Sequence, residues 1–246
     1  MARIVQKERY VERRSEILAT AQRLVYSKGF EQMTIQDILD DLQISKGAFY
    51  HYFNSKSALL EGLIESTLDQ AEQILIPIAQ DPNLPAIEKL QCYFTTLSRW
   101  KATQKTYLLA LVNVWYTDDN AIVRQKMLAA TIQRITPLIT QAIRQGIQEG
   151  VLETVYPDQA GEVILSVLQS LGENLARQLF TPGVERNDLQ RVKSTVAAYT
   201  DALERVLGAP SGSLEIVDRD TLEEWFPLSE ANHDQPGSGV QNHETN

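Results

Sequence analysis

Apolar residues recur at three- and four-residue spacing in block after block of this chain, which predicts an all-α fold of about nine helices. The first block runs from about Val11 to Ser27. Ile17, Leu18, Ala21, Leu24 and Val25 share one face, and Lys28-Gly29 supplies the end. Phe30 is expected to plug a three-helix core, and residues 1–10 to form a mobile basic arm. A short helix follows with Ile35, Ile38, Leu39 and Leu42 on its apolar face. Thr34 is its N-cap and Asp37 stands three residues on, where a capping box places an acid. Ser45 caps a second short helix over Lys46 to Tyr52, and Asn54 or Ser55 caps a third. Two helices of about two turns joined by a tight turn form a helix-turn-helix, whose second helix enters the DNA major groove.

Beyond it, Leu60, Ile64, Leu68, Ala71, Leu75 and Ile78 mark a long amphipathic helix from about Ser55 to Ala79. Asp81-Pro82-Asn83-Leu84-Pro85 breaks the pattern. Helices are predicted over Pro85–Thr103, Gln104–Tyr116 and then, after Thr117-Asp118-Asp119-Asn120, up to Glu149. Pro137 predicts a kink near Ile135 or Thr136, and Gly146 and Gly150 mark the end. The next helix starts at Tyr156-Pro157-Asp158 with Asp158 as cap. It carries Ile164, Leu168, Leu171, Leu175 and Leu179, and Thr181-Pro182-Gly183 closes it. A last core helix starts near Asn187 or Asp188. Its positions Leu189, Val192, Val196, Tyr199, Leu203 and Val206 form a heptad seam. The seam either faces the interior of its own domain or pairs with a second copy. After Gly208 the chain turns acidic and rich in Gly, Ser, Pro and Asn. A short helix is possible at Thr221 to Phe226, with Trp225-Phe226 docked on the body, and disorder is expected beyond Leu228.

Thr34, Ile38, Ser45, Lys46, Gly47, Phe49, Tyr50, Tyr52, Phe53, Ser55, Lys56 and Leu59 fit one spaced pattern. On these residues the stretch resembles the DNA-binding domain of the tetracycline-repressor (TetR) family. The likeness covers roughly residues 10–60; elsewhere only length and helical texture are shared. Two features depart from the family pattern. Leu39 and Leu42 stand where small residues are usual, and Gln43 holds a turn position that is often Gly. A non-Gly residue there must accept a left-handed conformation, or the turn must change shape.

The resemblance implies DNA-backbone contacts at Thr34, Lys46, Tyr50, Tyr52 and Lys56, and base edges faced or flanked by Gln43, Ser45, Gly47, Ala48 and His51. It also implies a small-molecule cavity between the long helices of the larger domain. Candidate walls are Phe94, Leu97, Trp100, Tyr107, Leu111, Trp115 and Tyr116, with Met127, Ile139 and Ile143 behind them. Asn113, Gln133 and Asn174 are the candidate polar groups. Dimerisation through the last two core helices would use Leu168, Leu171, Leu175, Leu189, Val192, Val196, Tyr199 and Leu203.

The net charge of −9 runs against a DNA-binding reading until it is divided along the chain. Residues 1–56 hold nine Lys/Arg against seven Asp/Glu, residues 57–207 thirteen against seventeen, and residues 208–246 one against eight. Arg3, Lys7, Arg9, Arg13 and Arg14 cluster near the start of the first helix. Attraction to DNA depends on the local patch within about 8–10 Å, not on the total. The expected domains are 1–55 for DNA binding, 56–207 for the ligand binding and dimerisation that the resemblance implies, and 208–246 as an acidic, mostly disordered tail.

Other chemistries find little support. No nucleotide loop, nucleophile elbow, His-Glu-x-x-His or Cys-x-x-Cys occurs, and the pairs Asp118-Asp119 and Glu223-Glu224 suit solvated turns, so no enzyme and no cofactor are expected. His51 has no second ligand at helical spacing, and His233 and His243 lie in the acidic tail, so no metal is expected. Cys92 is the only cysteine, no apolar run reaches the roughly 18–20 residues of a membrane span, and no apolar core follows the N-terminal charges. A cytoplasmic location without membrane attachment is expected. The functional expectation is a homodimeric, effector-released repressor on a near-palindromic double-stranded operator. The alternative is a helical ligand- or protein-binding module without sequence-specific DNA binding, supported by the acidic tail and by Gln43 at the turn.

Overall fold

The computed structural model describes residues 2–115, 117–180 and 189–226, and every regular element among them is helical. Tyr116, the break at Thr181-Pro182-Gly183, the helix start near Asn187 or Asp188 and the stretch beyond Leu228 lie outside the described residues.

Three helices and the start of a fourth build the helix-turn-helix unit, or reading head of the expected DNA binder: α1 (Ala2–Lys28), α2 (Ile35–Leu42), α3 (Lys46–Tyr50) and α4 (Lys56–Gln80). The first ten residues are not a loose arm; α1 begins at Ala2 and ends where Gly29 takes a positive φ of 80°. Ile17, Ala21, Val25, Phe30, Met33, Ile38, Phe49, Phe53, Leu59 and Leu60 close the core, all nearly or fully buried. Leu39 is buried with them and Leu42 packs at the edge, so the core absorbs both bulky leucines. Gly62 lets α4 approach closely; a Cβ there would stand 2.8 Å from the Phe53 ring.

The expected capping box at α2 is complete. The Asp37 N–H donates to Thr34 Oγ1 (3.1 Å), and the Thr34 N–H donates to Asp37 Oδ2 (2.7 Å). Lys28 Nζ lies 2.8 Å from the same carboxylate oxygen. The hydrogen bond from Lys28, followed by those from Thr34, lowers the Asp37 pKa from 3.8 to about 2.

The body consists of α5 (Ala86–Thr103), α7 (Ala121–Gln148), α8 (Pro157–Phe180), α9 (Leu189–Leu207) and α10 (Arg219–Trp225), packed against the remainder of α4. Between α5 and α7, α6 (Lys105–Trp115) turns back to the reading head. Pro77 and Pro137 both sit inside continuous helices; Pro137 lies on the exposed face of α7. Gly146 does not end α7. It is buried where a Cβ would strike Leu152 and Ala86, and Gly150 (φ 73°) follows the true end. Pro157 opens α8, so Asp158 is a first-turn residue rather than the cap, and it pairs with Arg144 at 2.7 Å.

The short helix expected near Thr221 to Phe226 forms as α10 with Trp225 and Phe226 docked on the body, and the stretch from Gly208 leading to it packs there as well. Leu214, Ile216, Leu222 and Phe226 are buried in the same core as α9. Glu204, 5% exposed, accepts the backbone N–H groups of Gly212 and Leu214, each at 3.0 Å. Gln91 bonds both backbone groups of Glu215, and Asp218 caps α10 and meets Arg99. The net acidity of the segment conceals five well-spaced apolar residues, Trp225 among them, which bury enough surface to hold it.

Two outcomes follow. Glu204→Ala removes the acceptor of the buried Leu214 N–H and of the more exposed Gly212 N–H, and equilibrium urea unfolding should show a loss of about 1–3 kcal/mol, with a smaller loss for Glu204→Gln. Asp37 has a folded pKa below its unfolded value, so its contribution is complete above about pH 4 and is lost as pH falls toward 2. The stability difference between the wild type and Asp37→Asn, measured in urea across pH 2–5, should shrink in that window.

Candidate nucleic-acid interface

Helix α3 is short because its capping and its core contacts fall within two turns. Ser45 Oγ accepts the Ala48 N–H at 3.2 Å, and Phe49 and Phe53 point inward as core. The helix ends at Tyr50 rather than Tyr52. What remains outward is one continuous surface: Thr34, Gln43, Ser45, Lys46, Gly47, Ala48, Tyr50 and His51 are all exposed. Lys46 Nζ lies 5.9 Å from the centroid of the Tyr50 ring.

The turn before α3 forms with Gln43 in the left-handed region (φ 51°, ψ 45°), the only non-glycine residue at positive φ among those described. Such a conformation costs an L-residue roughly 1–2 kcal/mol. The Gln43 side chain offsets part of it by donating Nε2–H to the Asp40 carbonyl (2.6 Å). The turn thus keeps its geometry without glycine, and the side chain stays on the exposed rim.

Gly47 carries more information. A Cβ placed on it would touch nothing in the chain closer than Ser45 Oγ at 4.0 Å. Glycine inside a helix costs about 1 kcal/mol relative to alanine. Nothing in the fold requires it here.

Two of the positions expected to contact DNA are occupied within the protein. Lys56 Nζ donates to the Glu31 carbonyl (2.9 Å), lies over the Phe30 ring, and has its pKa lowered by desolvation. Tyr52 is half-buried against Tyr10 of α1, with ring centroids 4.8 Å apart. That contact joins two segments about forty residues apart, so the spacing within α3 does not reveal it.

The candidate pocket residues do not converge. Tyr107 and Leu111 are buried in the reading-head core, where Tyr107 stacks on Tyr26 at 5.2 Å. Burial lifts the Tyr107 hydroxyl to about 12, so it is neutral. Phe94, Met127, Ile139 and Ile143 are core of the body, Trp115 packs on its edge, and Leu97 and Trp100 are half-buried outside both cores. Asn113 and Gln133 are exposed, and Asn174 bonds Gln178 one turn on. The concavities described are open grooves elsewhere, one along Thr136 to Gln148 of α7 and one across α8.

The heptad seam faces inward. Leu171, Leu189, Val192, Val196 and Leu203 are buried within one chain, so these five cannot also cover a partner; the seam closes α9 onto its own core. Leu168, Leu175 and Tyr199 remain partly exposed. The open side of α8 is instead a groove lined by Gln159, Glu162, Val163, Ser166, Val167 and Ser170, with Tyr199 of α9 bonded to Ser170 at its rim.

Comparisons with known proteins agree with this geometry. Residues 17–63 match the family model for bacterial regulatory proteins, tetR family, and residues 111–195 match that for the tetracyclin repressor-like C-terminal domain. The transcriptional regulator EthR of Mycolicibacterium smegmatis is 30% identical over 130 residues, 51% of this chain and 60% of that protein. The transcriptional repressor NemR of Escherichia coli K12 is 30% identical over 81 residues, 33% of this chain and 41% of its own. The chain thus matches less than two thirds of either relative. Among solved structures, a TetR-family regulator from Pectobacterium atrosepticum shares the fold, with a TM-score of 0.64 at 20% identity over 82% of this chain and 98% of that one. With the helix-turn-helix and much of the helical body matched, together just over half of the chain, it belongs to the tetR family of bacterial regulatory proteins.

Proposed function

We propose that this protein is a homodimeric, ligand-responsive DNA-binding transcriptional regulator, a repressor released from a near-palindromic operator by a small, largely apolar effector. The observation that carries the reading is the outward face of α3. It presents Ser45, Lys46, Gly47, Ala48, Tyr50 and His51 to solvent, and it keeps a glycine that the fold does not need. Gly47 and Ala48 permit close approach to base edges, Lys46 and Tyr50 reach phosphate, and the side chain of Gln43 stands at the edge of the contact. Lys56 holds the loop before α2 in place, which makes it a positioning residue in this reading.

The dimer is formed through the groove face of α8. Val163 is 44% exposed there, and Ser166, Val167 and Ser170 on its C-terminal side are short enough for two helices to approach. Two reading heads then address half-sites about one helical turn, or a multiple of it, apart. The switch acts through α4, because that helix enters both cores and is tied to α7 by Arg134 with Asp69 and Glu72 and by Lys126 with Glu61. An effector that prefers one arrangement of α4 by about 1.4 kcal/mol changes operator affinity tenfold.

Gly47→Ala separates function from stability. It should stabilise the reading head by about 0.5–1 kcal/mol in thermal unfolding, yet weaken operator binding in a gel shift. Lys46→Ala and Tyr50→Ala should weaken binding at physiological salt with unfolding unchanged; retained affinity in both would remove α3 as the contact surface. Val163→Arg should give a monomer by analytical ultracentrifugation, and a persisting dimer would place the interface elsewhere.

A further inference from the structure

Helix α6 is held at its middle and at both ends. Its middle belongs to the reading head: Tyr107, Leu111 and Val114 are buried in that core, and Tyr107 stacks on Tyr26 of α1. Its C-terminal end is tied to the start of α7. Asn120 Nδ2 donates to the Val114 carbonyl at 3.1 Å, and Arg124 donates through Nη1 to the Trp115 carbonyl at 2.7 Å. Its N-terminal end is tied to residues 208–226, a strap that ends in α10. Lys105 Nζ donates to the Glu224 carbonyl and lies 5.7 Å from the centroid of the Trp225 ring.

The strap has its own seat on the body. Leu214, Ile216, Leu222 and Phe226 are buried in the body core. Glu204 of α9 accepts the Gly212 and Leu214 N–H groups, Gln91 of α5 bonds both backbone groups of Glu215, and Arg99 of α5 meets Asp218 at 3.1 Å. The Lys105 bond is exposed, so both of its polar groups find water when it breaks, and it adds little to the stability of the seat. Its consequence is geometric: it fixes the start of α6, two residues before the first α6 side chain in the reading-head core, against the body.

We infer that the C-terminal strap is a brace on the reading head. Seated on α5 and α9, it clamps the N-terminal end of α6 through Lys105 and restricts the positions that α3 samples relative to the body. The effect on DNA rests on the DNA-binding function proposed above, whereas the restriction is a property of the folded chain. A reading head that samples more arrangements spends less time in the one that fits an operator, and apparent affinity falls by that fraction. Lys105 is a positioning residue and touches no phosphate, so the loss does not vary with salt as the loss of a phosphate contact does.

The test uses the full-length protein carrying Cys92→Ser, spin-labelled at Gln32→Cys before α2 and Gln148→Cys at the end of α7, both exposed positions. Labelled chains are exchanged into a large excess of unlabelled chains, so that pulsed electron paramagnetic resonance reads distances within one chain. Lys105→Met keeps the alkyl stem and should broaden the distance distribution; Lys105→Arg restores the donor and the cation and should narrow it again. Trp225→Leu reaches the same contact from the strap side and should also broaden it. On a duplex enriched by the wild type from a random-sequence library, Lys105→Met should weaken binding about 3- to 10-fold. The slope of log affinity against log salt, read between about 50 and 200 mM, should stay unchanged. Lys105→Arg should bind as the wild type does. An unchanged distribution in both Lys105→Met and Trp225→Leu overturns the inference, and so does equal or tighter binding by a variant whose distribution broadens. If the wild type enriches no duplex, the proposed function fails, and the distance distributions alone decide the brace.

Discussion

Leu59, Leu60 and Leu63 anchor the N-terminal end of α4 in the reading-head core, while Leu68, Leu75 and Ala79 anchor the rest of the same helix in the body. The position of α3 in space therefore depends on where α4 lies, and α4 cannot shift without disturbing one core or the other. A second tie runs parallel to it. α6 leaves the body and buries Tyr107, Leu111 and Val114 in the reading-head core, with Tyr107 stacked on Tyr26. Close-packed cores resist continuous deformation, so the proposed switch requires α4 to move between discrete arrangements.

The reading surface breaks local rules of stability in two places, Gln43 in the left-handed region and Gly47 inside an exposed helix. In the first case a hydrogen bond to Asp40 offsets the strain; in the second nothing within the chain does. Departures of this kind concentrate where a surface is shaped for a partner rather than for the fold. The Thr34–Asp37 capping box and its bond to Lys28 supply rigidity directly behind the turn.

The C-terminal strap extends the constraint on α6. Lys105, the first residue of that helix, donates to the Glu224 carbonyl and lies over the Trp225 ring, while Arg99 on α5 meets Asp218. The strap thus grips α5 and the start of α6, the element that reaches the reading head. The brace lies in residues 208–226, beyond the span matched by the C-terminal family model.

Local chemistry alone determined the reading head. Caps at Thr34, Ser45 and Ser55, the spacing of Phe49 and Phe53, and the charge bias of the first 56 residues act over a few positions, so they are legible in sequence. The same spacing located the long helices of the body to within a few residues. It could not say which core each apolar face enters. Tyr107 and Leu111 looked like cavity walls because periodicity marks burial without naming the neighbour. The α9 seam fitted either a partner helix, which the resemblance implied, or its own core, and packing turns Leu189, Val192, Val196 and Leu203 inward. Tyr10 beside His51, Lys56 on Glu31 and Glu204 under the strap are contacts between segments brought together by the fold, and only the tertiary structure decided them.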